Sequence, residues 1–162
     1  MRNCKCEGFT YFGILITVAL LGSSLAAIGA SWSVQKRRAN EAELILIGQT
    51  FRRAIASYYN SKSAGANQYP TKLDDLLSDT RGGKMERHLR KVYRDPITGD
   101  TDWEIVRLAD GAIIGLASRS SGEPFKKDNF NPWEASFTGA KCYCDWRFLY
   151  LPQLVGDTSV TP

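Results

Sequence analysis

Residues 9–35 carry no Asp, Glu, Lys or Arg, and Ile, Leu, Ala, Val and Phe dominate the run. It exceeds the roughly 20 mostly apolar residues that a helix needs to cross a bilayer. Three uses compete for such a segment: a secretory signal, a simple membrane anchor, or a helix with a second use. A secretory signal has an apolar core of about 7 to 15 residues followed by small residues at its cleavage site. Cleavage after Ala27 or Ala30 would suit that use, but the run is longer than such a core.

The residues beyond the run bear on the other two uses. After Lys36, Arg37 and Arg38 the sequence ANEAELILIGQTFRRAIASYYNS has no Pro and a single Gly, which favours helix. Leu44, Ile47, Phe51, Ile55 and Tyr58 recur at three- and four-residue steps, the mark of one apolar stripe. No breaker intervenes, so the pattern predicts one helix from about Phe9 to about Tyr59, roughly 75 Å long at 1.5 Å per residue. Its first half is apolar all round, and its second half offers a single apolar face to something globular.

A short basic leader ending in Gly8, with Phe9 opening an apolar half-helix, resembles the type IV pilin and type II secretion pseudopilin superfamily. The resemblance implies that a prepilin peptidase cuts after Gly8 and methylates the new terminal amine of Phe9, which makes residues 1–8 a cytoplasmic processing leader. The stretch QTFRRAIASYYNSKSAGANQYPTKLDDLL is similar to the family's helix end, Tyr-Pro turn and short helix. RDPITGDTDWEIV is similar to its Asp-Pro loop leading into the sheet, so the likeness covers about residues 1–118. One position departs from the pattern. The family usually carries a Glu four residues after the processed terminus, thought to meet the terminal amine of a neighbouring subunit, and Gly13 stands there. That marks either a tolerated variant or a specialised subunit.

The expected fold class is α+β and pilin-like: a long N-terminal helix, membrane-spanning in its first half, packed against a small antiparallel sheet. The expected segments are the leader at 1–8, a transmembrane or filament-core half-helix at 9–35, an amphipathic half-helix at 36–60, a globular head at 61–154 and a loose tail at 155–162. The formal net charge is +4, and loss of Arg2, Lys5 and Glu7 lowers it to +3. A head of about 100 residues can hold one core, but is small enough to need the helix as part of it. No internal repeat or second domain is legible.

Within the head, residues 61–68 read as a loop. Pro70 suits the first turn of a short helix carrying Leu73, Leu76 and Leu77. Residues 85–93 are expected to add a turn or two of helix, and residues 95–99 a turn. Residues 103–108 and 112–117 read as a hairpin that covers the stripe of the long helix. Residues 141–150 alternate, with Cys142, Cys144, Trp146, Phe148 and Tyr150 on one side, the pattern of a half-buried strand.

Processing at Gly8 removes Cys4 and Cys6 and leaves Cys142 and Cys144. Two apart on a regular strand, their Cα atoms would lie nearly 7 Å apart, at the limit for a disulfide. A regular strand therefore leaves two buried thiols, whereas pairing, which an oxidising periplasm favours, requires a bulge or bend. A zinc site from these two and His88 would lack the usual fourth ligand. Asp95, Asp100, Asp102 and Glu104 lack the central Gly and terminal Glu of a helix-loop-helix calcium loop. The family's major pseudopilins bind calcium in a loop within the sheet. Residues 118–131 are the nearest region here, with Glu123, Asp128 and Asn129 as weak oxygen candidates against plain turn chemistry. No cofactor is expected.

Arg81, Lys84, Arg87, Arg90, Lys91 and Arg94 face only Glu86 as an opposing charge in their segment. Arg87, Arg90 and Lys91 are candidates to hold phosphates or to dock an acidic neighbour, and no base-stacking aromatics interleave with them. The chain has one His and no phosphate-binding loop, GxSxG elbow or HExxH motif, so no catalytic residue and no enzyme is expected. Tyr93, Trp103, Trp133, Trp146 and Phe148 read as core aromatics.

The resemblance implies other pilin subunits, a prepilin peptidase and an inner-membrane assembly platform as partners, with the membrane holding the helix before assembly. It also implies a bacterial inner-membrane protein with a single pass and a periplasmic head, later part of a periplasmic or surface filament. Lys36, Arg37 and Arg38 outweigh Arg2 and Lys5, so the positive-inside rule alone would leave the head in the cytoplasm. Two alternatives stand beside this: a DNA-binding minor pilin, and a single-span membrane protein whose periplasmic domain binds a partner without polymerising.

Overall fold

The computed structural model describes residues 7–61 and 67–152, with side chains omitted at 7–10 and 24–31. Most of the expected leader, residues 62–66 of the expected loop and the whole tail at 155–162 lie outside the described residues. Two compact units divide the chain, Met1–Ala39 and Asn40–Pro162.

Helix α1 runs from Glu7–Tyr59, 53 residues without interruption. The absence of Pro favours helix throughout, and the apolar stripe from Leu44 to Tyr58 anchors its second half. In the first unit the large apolar side chains of α1 are open to solvent, from 38% at Val34 and 45% at Ile16 to 67% at Tyr11 and 73% at Trp32. Among the described residues, no helix is long and apolar enough to cross a membrane. Residues 24–31 of the uncharged run fall outside the described side chains.

In the second unit the apolar stripe of α1 becomes the core. Leu44, Ile47, Phe51, Ile55 and Tyr58 are all buried, together with Trp103, Ile113, Leu116, Phe137, Tyr143, Trp146 and Phe148. Strands β1 (Glu104–Arg107), β2 (Ile113–Ala117) and β3 (Phe148–Leu149) form an antiparallel sheet in the order β1-β2-β3. The predicted hairpin is therefore present, and its turn uses Gly111 at φ 86°, a conformation that glycine adopts without a Cβ clash. The class is thus a helix plus a small antiparallel sheet. Phe137 and Trp146 stack with centroids 5.4 Å apart, and Phe148 meets Phe137 edge-on.

Four expectations need correction. The short helix after Pro70 is a single 3-10 turn, Leu73–Leu76, started by Asp75, whose carboxylate accepts the N–H groups of Thr71 and Lys72. Residues 85–93 are not helical. Asp79 and Glu86 instead exchange N–H···O bonds of 2.8 Å, and the N–H groups of His88 and Leu89 both reach the Leu76 carbonyl. Those long-range pairings take the groups a helix would have used.

Residues 141–150 do not form one strand. The Asp145 carboxylate accepts the N–H groups of Lys141 and Cys142 at 3.0 and 3.2 Å, folding Tyr143–Asp145 into a 3-10 turn. Only Phe148–Leu149 remains extended, and Tyr143, expected to face outward, is buried. That bend brings the Cα atoms of Cys142 and Cys144 to 5.1 Å and they form a disulfide, the alternative that required a bend. Trp133, expected in the core, is 49% exposed.

Candidate functional site

Buried carboxylates tie α1 to the loops of the second unit. Glu41 accepts the backbone N–H groups of Phe125 and Lys126 at 2.5 and 3.1 Å and the Tyr143 hydroxyl at 2.7 Å. The Asn40 amide donates to the Pro96 carbonyl at 3.0 Å, next to Asp95, which accepts the Ser118 hydroxyl and the Ile97 N–H. Gln49 donates to buried Glu134 at 2.8 Å. A carboxylate without water needs such donors.

The densest polar group surrounds Asp79. The Arg81 guanidinium donates to both its oxygens, at 2.9 and 2.7 Å, and reaches on to the Tyr58 carbonyl at 2.9 Å. It also lies 3.5 Å over the Tyr58 ring, a cation–π contact. The Arg81 hydrogen bond, aided by the Arg81 backbone N–H and by His88, holds the Asp79 carboxyl well below the usual carboxylate range, against the opposite push of burial. The same hydrogen bond raises the pKa of Arg81, and burial raises that of Tyr58.

His88 lies between Asp79, 3.2 Å from Nε2, and the Ser57 hydroxyl, 2.8 Å from Nδ1. Asp79 can only accept, so Nε2 carries a proton, and in the neutral ring Nδ1 then accepts from Ser57. Hydroxyl, imidazole and carboxylate stand in the order of a hydrolase relay. Ser57 belongs to the body of α1, however, where neighbouring backbone N–H groups are spent on the helix. The helix therefore offers no N–H pair for an oxyanion beside that hydroxyl. Asp79 is already compensated by Arg81, so the arrangement acts as a tie between α1 and the 79–89 loop. Sequence reasoning missed it because His88 stands 31 positions from Ser57 and packs onto α1 through the non-helical loop.

The residues expected to matter do not converge on one place. Gly8 and Phe9 lie in the first turn of α1, and their side chains are outside the description. A Cβ on Gly13 would meet nothing within 4 Å, and Thr17 donates to the Gly13 carbonyl at 2.8 Å. Arg87, Arg90 and Lys91 are exposed, with the Lys91 ammonium 5.3 Å from the Tyr93 ring. Glu123 is exposed and pairs with Lys127, and Asp128 is exposed. Among the described residues, the cluster of three metal-capable side chains is Cys142, Cys144 and Asp145. It includes neither Glu123, Asp128 nor His88, and its two sulfurs are bonded to each other. No protein-family model, curated protein or solved structure matches the chain.

Proposed function

We propose that the chain is a structural, non-enzymatic pilin-like subunit, a pseudopilin, of a type II secretion or type IV pilus-like filament. The observation that carries this reading is the first part of α1, where Tyr11, Phe12, Ile14, Val18, Leu20, Leu21 and Trp32 are exposed on one continuous helix. So much apolar surface is unfavourable in water and needs cover. Lipid gives that cover before assembly and the helices of neighbouring subunits give it afterwards, so apolar burial in the filament replaces burial in the bilayer. The other end of the same helix supplies the core of the Asn40–Pro162 unit, which on this reading is the periplasmic head.

Processing comes first: prepilin peptidase cuts between Gly8 and Phe9 and methylates the Phe9 amine. Mass spectrometry of the mature N-terminus tests this. N-methylated Phe9 is the expected terminus; an intact Met1 in cells with active prepilin peptidase, or a start near Ser31, overturns the reading.

A further inference from the structure

An open groove of about 390 Å³ runs beside α1 in the second unit, toward the lower end of the roughly 300–1,000 Å³ typical of binding sites. Trp133, Leu149 and Leu151 give it an apolar wall, and Arg52, Arg53 and Arg147 bring three guanidinium groups to it. The charges are unequally compensated. Arg52 stands 3.6 Å from the buried carboxylate of Glu134, donates to the Trp133 carbonyl at 3.4 Å and lies 5.3 Å from the Trp133 ring. Among the described residues, Arg53 reaches only a neutral acceptor, the Gln49 amide oxygen, at 3.4 Å. Arg147 is exposed and makes no side-chain hydrogen bond or ion pair among the described residues. Burial lowers the pKa of Arg52, Glu134 opposes that, and Arg53 adds to the lowering, as expected where cations crowd together.

Two uncompensated cations beside an apolar wall call for a partner that brings carboxylates and an apolar side chain together. We propose that this groove docks an extended acidic-apolar segment of a partner protein. A Leu- or Phe-sized side chain lies against Trp133 and Leu149, and flanking carboxylates reach Arg53 and Arg147. β3 is the outer strand of the sheet, a setting in which extended segments are commonly received. A nucleic acid fits less well, because it needs a cationic track with free aromatic faces for its bases. Here the guanidiniums converge on one short pocket, and Arg52 already lies over the exposed indole. Docking of this kind uses only residues of the second unit and so stands apart from the filament reading.

The test uses the full chain in mild detergent and a fluorescein-labelled octapeptide of alternating Asp and Leu. Octapeptides of Asp and Ser, or of Lys and Leu, and an oligothymidylate serve as comparisons. The Asp-Leu peptide should bind at least about tenfold more tightly than the others. It should also shift the Trp133 resonance of fluorotryptophan-labelled protein. Arg53→Gln and Arg147→Gln should each weaken binding about fivefold, and the double replacement by Glu should abolish it while the circular dichroism stays unchanged. Equal binding of the Asp-Ser or Lys-Leu peptide, or no peptide binding at all, overturns the proposal. So does tighter oligothymidylate binding that depends on the same arginines, which would make the groove a nucleic-acid site. Self-association that Arg147→Glu dissolves, in a chain that ignores the peptides, would assign the groove to a second copy and equally overturn it.

Discussion

At Gly48 the helix backbone is itself the packing surface, because a Cβ there would clash with ring carbons of Phe148. Gly48→Ala gains up to about 1 kcal/mol of helix propensity but overpacks a full core, so a net loss of about 1–2 kcal/mol is expected. Urea denaturation of the full chain in mild detergent measures it, and an unchanged midpoint would show that Phe148 moves aside freely. Asp79 gives the second expectation at this scale. Its carboxyl is held below its ordinary range, so its stabilisation is complete above the unfolded value of about 3.9 and is lost as pH falls below that toward the folded value. Asp79→Asn should cost about 2–3 kcal/mol near neutral pH, and the gap from wild type should narrow progressively as pH falls below about 4. A gap that is constant from neutral to strongly acidic pH would contradict the Arg81 assignment. Neither residue announces itself in the sequence. Gly48 reads there only as a weak helix position, and the partners of Asp79 are set by a loop whose path local pattern does not encode.

Elements were legible where period decides structure and illegible where a single side chain overrides it. The stripe from Leu44 to Tyr58 marked α1 by repeated burial on one face, and two runs joined across the turn residues Ala109, Asp110 and Gly111 marked the β1–β2 hairpin, whose second strand is buried at every position. The 141–150 alternation misled, since one Asp145 cap outweighs the weak preference of a short edge segment for extension. The resulting turn presents Tyr143, whose N–H donates to the Gly122 carbonyl and whose hydroxyl donates to Glu41. The Cys142–Cys144 bond closes a very short loop, so the chain-entropy account gives it about 1–2 kcal/mol. Replacing both cysteines with Ser should cost that amount and speed amide exchange at Phe125 and Lys126, which depend on the same Glu41 carboxylate. Unchanged exchange at those two amides would show that the turn holds without the bond.

For the whole molecule, the division between the two compact units falls between Ala39 and Asn40. The uncharged run ends shortly before it, at Gln35. The candidate sites were less readable, because the cations of the groove are scattered over α1 and the approach to β3. Under the filament reading, Gly13 has a consequence at this scale. It cannot supply the carboxylate that the family resemblance assigns to pairing with a neighbour's amine, and an acid held in lipid is otherwise costly. Few copies per filament are therefore expected, alongside a separate Glu-bearing major subunit, and Gly13→Glu should raise the share. Quantitative mass spectrometry of purified filaments decides this; filaments built mainly of this chain with Gly13 intact would refute it.

The ties along α1 also form a load path. Asn40 to Pro96, Glu41 to the 125–126 backbone, Gln49 to Glu134 and Ser57 to His88 are spaced along one helix and end on different loops. A pull along the helix axis therefore strains them together, in shear, and does not peel them one at a time. The second unit can be drawn by its own helix with the force shared among many weak bonds.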